Sequence, residues 1–94
     1  MARYTARMMD AATGGEGRYD FEGPDDLLRQ TPVRVVRAFM EHVDRDMFPL
    51  THVDYELNAA YKDQDRGVVT AMGSLIHDGD PPSPFLLMIA AASA

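Results

Sequence analysis

The residues whose types could support chemistry are concentrated in one short segment, HVDYELNAAYK at residues 52–62. Polar and apolar residues alternate there, which is the period-2 pattern of a half-buried β-strand. One face of that strand would carry His52, Asp54, Glu56 and Asn58. Because imidazole and carboxylate groups bind divalent metals and transfer protons, this row is the first candidate site. The alternative interpretation is the hydrated face of a sheet.

A second histidine, His77, is the other imidazole ligand in the metal hypothesis. If a four-residue loop at 63–66 closes a hairpin, His52 lies opposite His77 and shares a face with Asp54 and Glu56. Two imidazoles and a carboxylate would hold a divalent metal with open coordination positions. A loop of five residues would turn His77 to the other face, because a one-residue shift inverts the pattern. The hydrated-face interpretation is therefore favoured, and no cofactor is predicted.

His42 is the other candidate for proton transfer. It falls at the margin of a predicted amphipathic helix, near Asp46, and a histidine–carboxylate pair is an acid–base motif. Histidines at helix margins are common, however, and the pattern brings no Ser, Cys or Lys beside His42. The sequence therefore predicts no catalytic residue, and an enzymatic function is not favoured.

Charge and composition restrict the classes of partner. The chain has 94 residues, the size of one domain (1–94), and a hydrophobic content of 46% that suffices for one core. The net charge is −6, with two basic residues against six acidic ones in residues 48–94. Since an acidic surface repels phosphate, nucleic acids and anionic membranes are not expected partners.

Cysteine content and hydropathy indicate the cellular compartment in which the protein is expected. The chain contains no cysteine, which excludes disulfides and thiolate metal ligands and is typical of a reducing cytoplasm. The N-terminal segment has no apolar region of the secretory type. The longest apolar run, FLLMIAAA at 85–92, has about half the length of a membrane-spanning helix. The sequence therefore predicts a cytoplasmic protein.

The remaining segments predict an α+β fold. Alternating residues at 3–9 and 18–22, separated by a glycine-rich turn, indicate a β-hairpin. After a short helical turn at 24–30, Thr31 and Pro32 begin a helix of about 32–47. Its apolar stripe is formed by Val36, Phe39, Met40, Val43 and Met47.

A second hairpin comprises residues 52–62 and 67–77, and a last apolar segment follows. Val53, Tyr55, Leu57, Ala59 and Tyr61 are expected on one face of the first arm. FLLMIAAA is interpreted as a strand, with a short C-terminal helix as the alternative. The element order is then β-β-α-β-β-β, an antiparallel sheet of about five strands with one helix packed on one face.

The last segment carries the main functional expectation. It directs Phe85, Leu87 and Ile89 to one side and Leu86 and Met88 to the other, and one helix covers only one side. Met72 is expected near the uncovered set. Apolar patches of this kind mark interaction surfaces, and an edge strand would also invite pairing with another chain.

Two main functional hypotheses follow from these patterns, beside a third option in which Tyr55, Tyr61 and Phe39 line a pocket for an apolar ligand between helix and sheet. The first is a non-enzymatic interaction or assembly module that acts as a homodimer, or with an unidentified protein, through Leu86, Met88 and Met72. The second is a metal- or small-ligand-binding protein, conceivably an enzyme, that uses the His52 row. Coverage of the patch by another part of the same chain would remove the first.

Overall fold

The computed structural model describes residues 1–10, 15–43, 54–63, 65–76 and 81–92. Within these ranges the elements follow the order β-β-α-β-β-β, so the predicted α+β fold is confirmed. The elements are β1 (Ala2–Asp10), β2 (Gly15–Gly23), α1 (Pro32–His42), β3 (Asp54–Asp63), β4 (Val68–Ile76) and β5 (Ser83–Ala91). A single 3-10 turn, Leu27–Arg29, precedes α1 where a short helical turn was predicted.

The five strands form one antiparallel sheet in the order β2-β1-β5-β4-β3. The first and last strands of the chain are therefore neighbours, paired from Tyr4 opposite Ala91 to Asp10 opposite Phe85. β5 is the central strand. The alternative in which this strand lies at an edge and pairs with another chain is excluded, because β1 and β4 occupy both of its hydrogen-bonding sides.

The start of α1 follows from a threonine–proline pair. Thr31 has an extended backbone (φ −63°, ψ 149°), as expected before a proline, and Pro32 occupies the first turn. The Thr31 carbonyl accepts hydrogen bonds from the N–H groups of Arg34 (3.0 Å) and Val35 (3.2 Å). The predicted extension of the helix to residue 47 lies outside the described residues. Among the described helices, none combines the length and apolarity needed to cross a membrane.

The core lies between α1 and one face of the sheet. The predicted stripe residues Val36, Phe39, Met40 and Val43 are buried, and Val35 is buried beside them. The ring of Phe39 lies 5.5 Å from that of Phe21 on β2, measured between centroids. The sheet residues buried in this core include Tyr4, Ala6, Met8, Val69, Ala71, Phe85, Leu87 and Ile89.

The loop between β3 and β4 is displaced by one residue from its predicted position. The last cross-strand pair is Asp63 opposite Val68, so the four intervening residues are 64–67 rather than 63–66. The carbonyl of Asp63 accepts a hydrogen bond from the N–H of Gly67 (2.8 Å), which has φ +65°. Glycine suits this left-handed conformation because it has no Cβ. The hairpin register assumed for the histidines is therefore wrong over the described residues.

Candidate interaction surface

The sheet face opposite α1, called here the open face, carries an apolar row across four strands. Met9 lies opposite Leu86, Leu86 opposite Met72, and Met72 opposite Ala59. Residues directly opposite each other project to the same face, with Cβ atoms about 4.5–5.5 Å apart. The row therefore runs continuously from β1 through β5 and β4 to β3.

These side chains are accessible despite their apolar character. The exposed fraction is 53% for Met9, 39% for Leu86 and 54% for Met72. Met88, in the adjacent row, is 46% exposed, whereas Leu87 between Leu86 and Met88 is completely buried. The predicted division of the last strand into a covered and an uncovered side is therefore present in the fold.

A β-bulge at Asn58 adds a tyrosine to the open face. The register between β3 and β4 shifts between Leu57, which pairs with Gly73, and Ala59, which pairs with Met72. The extra residue inverts the alternation of the strand beyond it. Tyr61 is consequently 66% exposed. The expectation that Ala59 and Tyr61 share the core face with Leu57 is wrong for this reason.

Gly73 is the residue that accommodates the bulge. A Cβ atom at this position would overlap the backbone carbonyl oxygen of Glu56 and would lie 3.1 Å from the ring of Phe85. Glycine inside a strand commonly marks a bulge or a close backbone approach. The bulge thus turns Tyr61 to the open face and requires a glycine at residue 73.

Charged residues on the open face lie mainly on the two outer strands. On β2, Arg18 lies opposite Arg7 and Glu16 lies opposite Met9. The charged residues on the β2 side of this face are Glu16, Arg18, Asp20 and Glu22, and those on the β3 side are Asp54, Glu56 and Asp63. Within the described inner strands, β1 adds Arg3 and Arg7. An apolar centre with a charged rim is the usual anatomy of a protein interface.

The candidate metal ligands are only partly described. Asp54 and Glu56 are exposed on the open face, opposite Ile76 and Ser74. His52 and His77 lie outside the described residues. Among the residues that are described, no group of three or more metal-ligating side chains is brought together. The metal hypothesis therefore stays a prediction.

His42, the candidate for proton transfer, lies on α1 against the aromatic core. Its ring centroid is 5.8 Å from that of Phe21, and the residue is partly buried. Asp46, its expected partner, is outside the described residues. One contact of His42 is therefore packing against an aromatic ring.

The sequence patterns placed three of the exposed apolar residues and missed two. Leu86, Met88 and Met72 were identified from the last strand and its expected neighbour. Met9 shares its face of the strand with Arg3, Thr5 and Arg7, so its orientation was evident, but its position beside Leu86 depends on the strand order. Tyr61 was missed because the bulge has only a weak sequence signal, in Gly73.

Comparison with known proteins adds no functional assignment. No protein-family model, curated protein or solved structure matches this chain. The open face and its residues are therefore the basis for any functional argument.

Proposed function

We propose that this protein is a non-enzymatic assembly module that forms a homodimer through its open face. The observation that carries the proposal is the in-register row Met9–Leu86–Met72, with Met88 beside it, exposed on the three inner strands. Hydration of a contiguous apolar patch at the centre of a sheet face is unfavourable, and the free energy falls when another surface covers the patch.

The size of the face supports a second copy of the chain as the partner. Strands of nine residues are about 30 Å long and five of them span about 24 Å, which gives a footprint of roughly 700 Å². Stable interfaces bury about 800 Å² on each partner. Two such faces would pack as aligned sheets about 10 Å apart, as in a β-sandwich.

The side-chain types at the centre suit self-association. Methionine is unbranched and adapts its shape, so Met9, Met72 and Met88 can interdigitate with the same residues of a second copy. A twofold contact needs a surface that is complementary to itself, and an apolar centre meets this requirement more easily than a charged one. The acidic residues of β2 and β3 would lie at the rim, where water and salt screen them.

The chemistry of the chain is consistent with a cytoplasmic role for such a module. Its fold uses no disulfide, because it has no cysteine, and therefore needs no oxidising compartment. A different protein that covers the same face is the alternative partner. It would be recognised by a monomeric mass for the isolated chain together with a saturable complex with that protein.

Met72→Glu tests the proposal most simply. A carboxylate at the centre of a buried interface is desolvated, so the variant should be monomeric at concentrations where the wild-type chain is dimeric. Val33→Glu is the matched control, because Val33 is 48% exposed but lies on α1, away from the open face. The measurement is the mass by light scattering, compared with the 10.4 kDa of one chain.

The masses of the wild-type chain, Met72→Glu and Val33→Glu decide between the outcomes. A wild-type mass twice that of the chain, with a monomeric Met72→Glu and a dimeric Val33→Glu, supports the proposal. A wild-type chain that stays monomeric at millimolar concentration contradicts it. Dissociation by Val33→Glu instead would assign the contact to the helix side.

A further inference from the structure

The open face contains a shallow depression beside the Met9–Leu86–Met72 row, on the side of Met88. Its volume is about 270 Å³. The lining includes Arg7 and Arg18 on one side, Val68, Met88 and Ala90 on the other, and Thr5 between them. Arg7 lies opposite Met88 and Thr5 opposite Ala90, so the cationic and apolar parts belong to adjacent strands.

The two arginines are an unusual cross-strand pair. Arg7 and Arg18 lie directly opposite each other on β1 and β2, where like charges are destabilising unless an anion lies between them. Each has a carboxylate nearby, Glu16 at 3.7 Å from Arg7 and Asp20 at 3.8 Å from Arg18. Both distances exceed hydrogen-bond length.

The nearby carboxylates leave capacity for a further anion. Asp20 also accepts a hydrogen bond from the Thr5 hydroxyl (2.9 Å), so its oxygen is shared with a better-placed donor. Arg7 and Arg18 are 60% and 61% exposed at their side chains. Their guanidinium N–H groups can therefore reach a ligand in the depression without breaking a hydrogen bond to either carboxylate.

We propose that this depression binds a small carboxylate that carries a short apolar tail. The carboxylate would lie between the guanidinium groups of Arg7 and Arg18, whose planar donors match its two oxygens. The tail would cover Val68, Met88 and Ala90. The volume is close to the lower end of small-molecule sites, about 300 Å³, so the ligand is limited to a few carbon atoms.

All the lining residues belong to one chain, and because Met88 is also part of the proposed homodimer contact, ligand binding and dimerisation would compete for this surface. A small acid fits the electrostatics better than a polyanion does. The carboxylates of Glu16 and Asp20 border the arginines and would repel a chain of phosphates. A bare inorganic anion has no apolar group that could contact the apolar part of the lining.

An NMR titration with hexanoate tests the inference. The signals to follow are the Nε–H groups of Arg7 and Arg18 and the methyl group of Met88. Hexanoate should shift all three with a dissociation constant on the order of 1 mM, as expected for a ligand of eight heavy atoms. Hexanol, which has the tail alone, and inorganic phosphate, which has the charge alone, should each bind at least about tenfold more weakly.

Two sets of variants separate the charge from the apolar surface. Arg7→Gln and Arg18→Gln should each weaken hexanoate binding about tenfold or more, because a charge-assisted hydrogen bond is lost. The double variant Arg34→Gln/Arg37→Gln is the matched control, since both arginines are exposed on α1. Ala90→Leu keeps the charges, fills the depression and should also abolish binding.

The same titration on Met72→Glu separates ligand binding from association, because this variant keeps every residue that lines the depression. Hexanoate binding by that variant that is at least as tight as binding by the wild-type chain supports a site built from one chain, since a dimer would cover Met88. The inference is overturned if hexanoate leaves the Arg7 and Arg18 signals unmoved. It is equally overturned if phosphate or hexanol binds as well as hexanoate, or if the α1 double variant loses binding as the Arg7 and Arg18 variants do.

Discussion

Leu86 lies directly opposite Met72 across the β4–β5 pair, and both side chains are exposed on the face of the sheet that α1 leaves open. One residue further along β5, Leu87 is completely buried beneath α1. A single strand thus supplies the centre of the hydrophobic core and the centre of an uncovered apolar surface. This arrangement is the physical basis of the proposed assembly role.

Adjacent leucines of β5 should respond in opposite ways to truncation. Leu87→Ala leaves a cavity under α1 and should lower the free energy of unfolding by about 2–5 kcal/mol. Leu86→Ala should change it by less than about 1 kcal/mol, because Leu86 is already 39% exposed, yet it should weaken dimerisation. Urea denaturation at low protein concentration measures the first effect, and the dimer dissociation constant measures the second.

The reverse result for the two variants would refute the assignment of Leu87 to the core and of Leu86 to the open face. A large loss of stability in Leu86→Ala at concentrations where the chain is monomeric would mean that the open face is part of the core. An unchanged dissociation constant in Leu86→Ala would remove this residue from the proposed contact.

Gly73 should tolerate no side chain, because its Cβ position is occupied by the backbone oxygen of Glu56. Gly73→Ala must displace β3 or abolish the bulge, and we expect a loss of at least about 2 kcal/mol in the free energy of unfolding. Ser74→Ala, at the next residue of β4, is the control. Equal stability of the two variants, measured by urea denaturation, would show that the bulge is not packed as described.

The metal hypothesis predicts that zinc or nickel shifts the imidazole NMR signals of His52 and His77. Its remaining support is the position of Asp54 and Glu56 on the open face. His42 is an internal control, since it packs against Phe21 on the opposite side of the sheet. Unmoved signals of His52 and His77 at saturating metal would eliminate the hypothesis.

The local patterns of the sequence predicted the elements well, because each pattern has a local cause. Alternation indicated the strands, and the Thr31–Pro32 pair indicated the start of α1. The separation of Leu86 and Met88 from Phe85, Leu87 and Ile89 followed from the two-residue period of a strand. These features depend only on local backbone geometry and on the difference between buried and solvent-exposed faces.

The features that the sequence did not predict depend on contacts between distant segments. The strand order, which places Met9 beside Leu86, is fixed only when β1 and β5 pair in the middle of the sheet. The orientation of Tyr61 depends on a bulge that is accommodated by Gly73 on the neighbouring strand. A period-2 pattern cannot report an inserted residue in advance, and a shift of one position inverts every side chain beyond it.

The most direct test of the assembly role is an intermolecular NOE experiment on a mixture of methyl-labelled and unlabelled chains. We predict intermolecular contacts from the methyl groups of Met9, Met72 and Met88 to Leu86 of the other copy, and none from Val33. Absence of any intermolecular NOE to the open-face methionines, at a concentration where the unlabelled chain is known to be associated, would contradict the account.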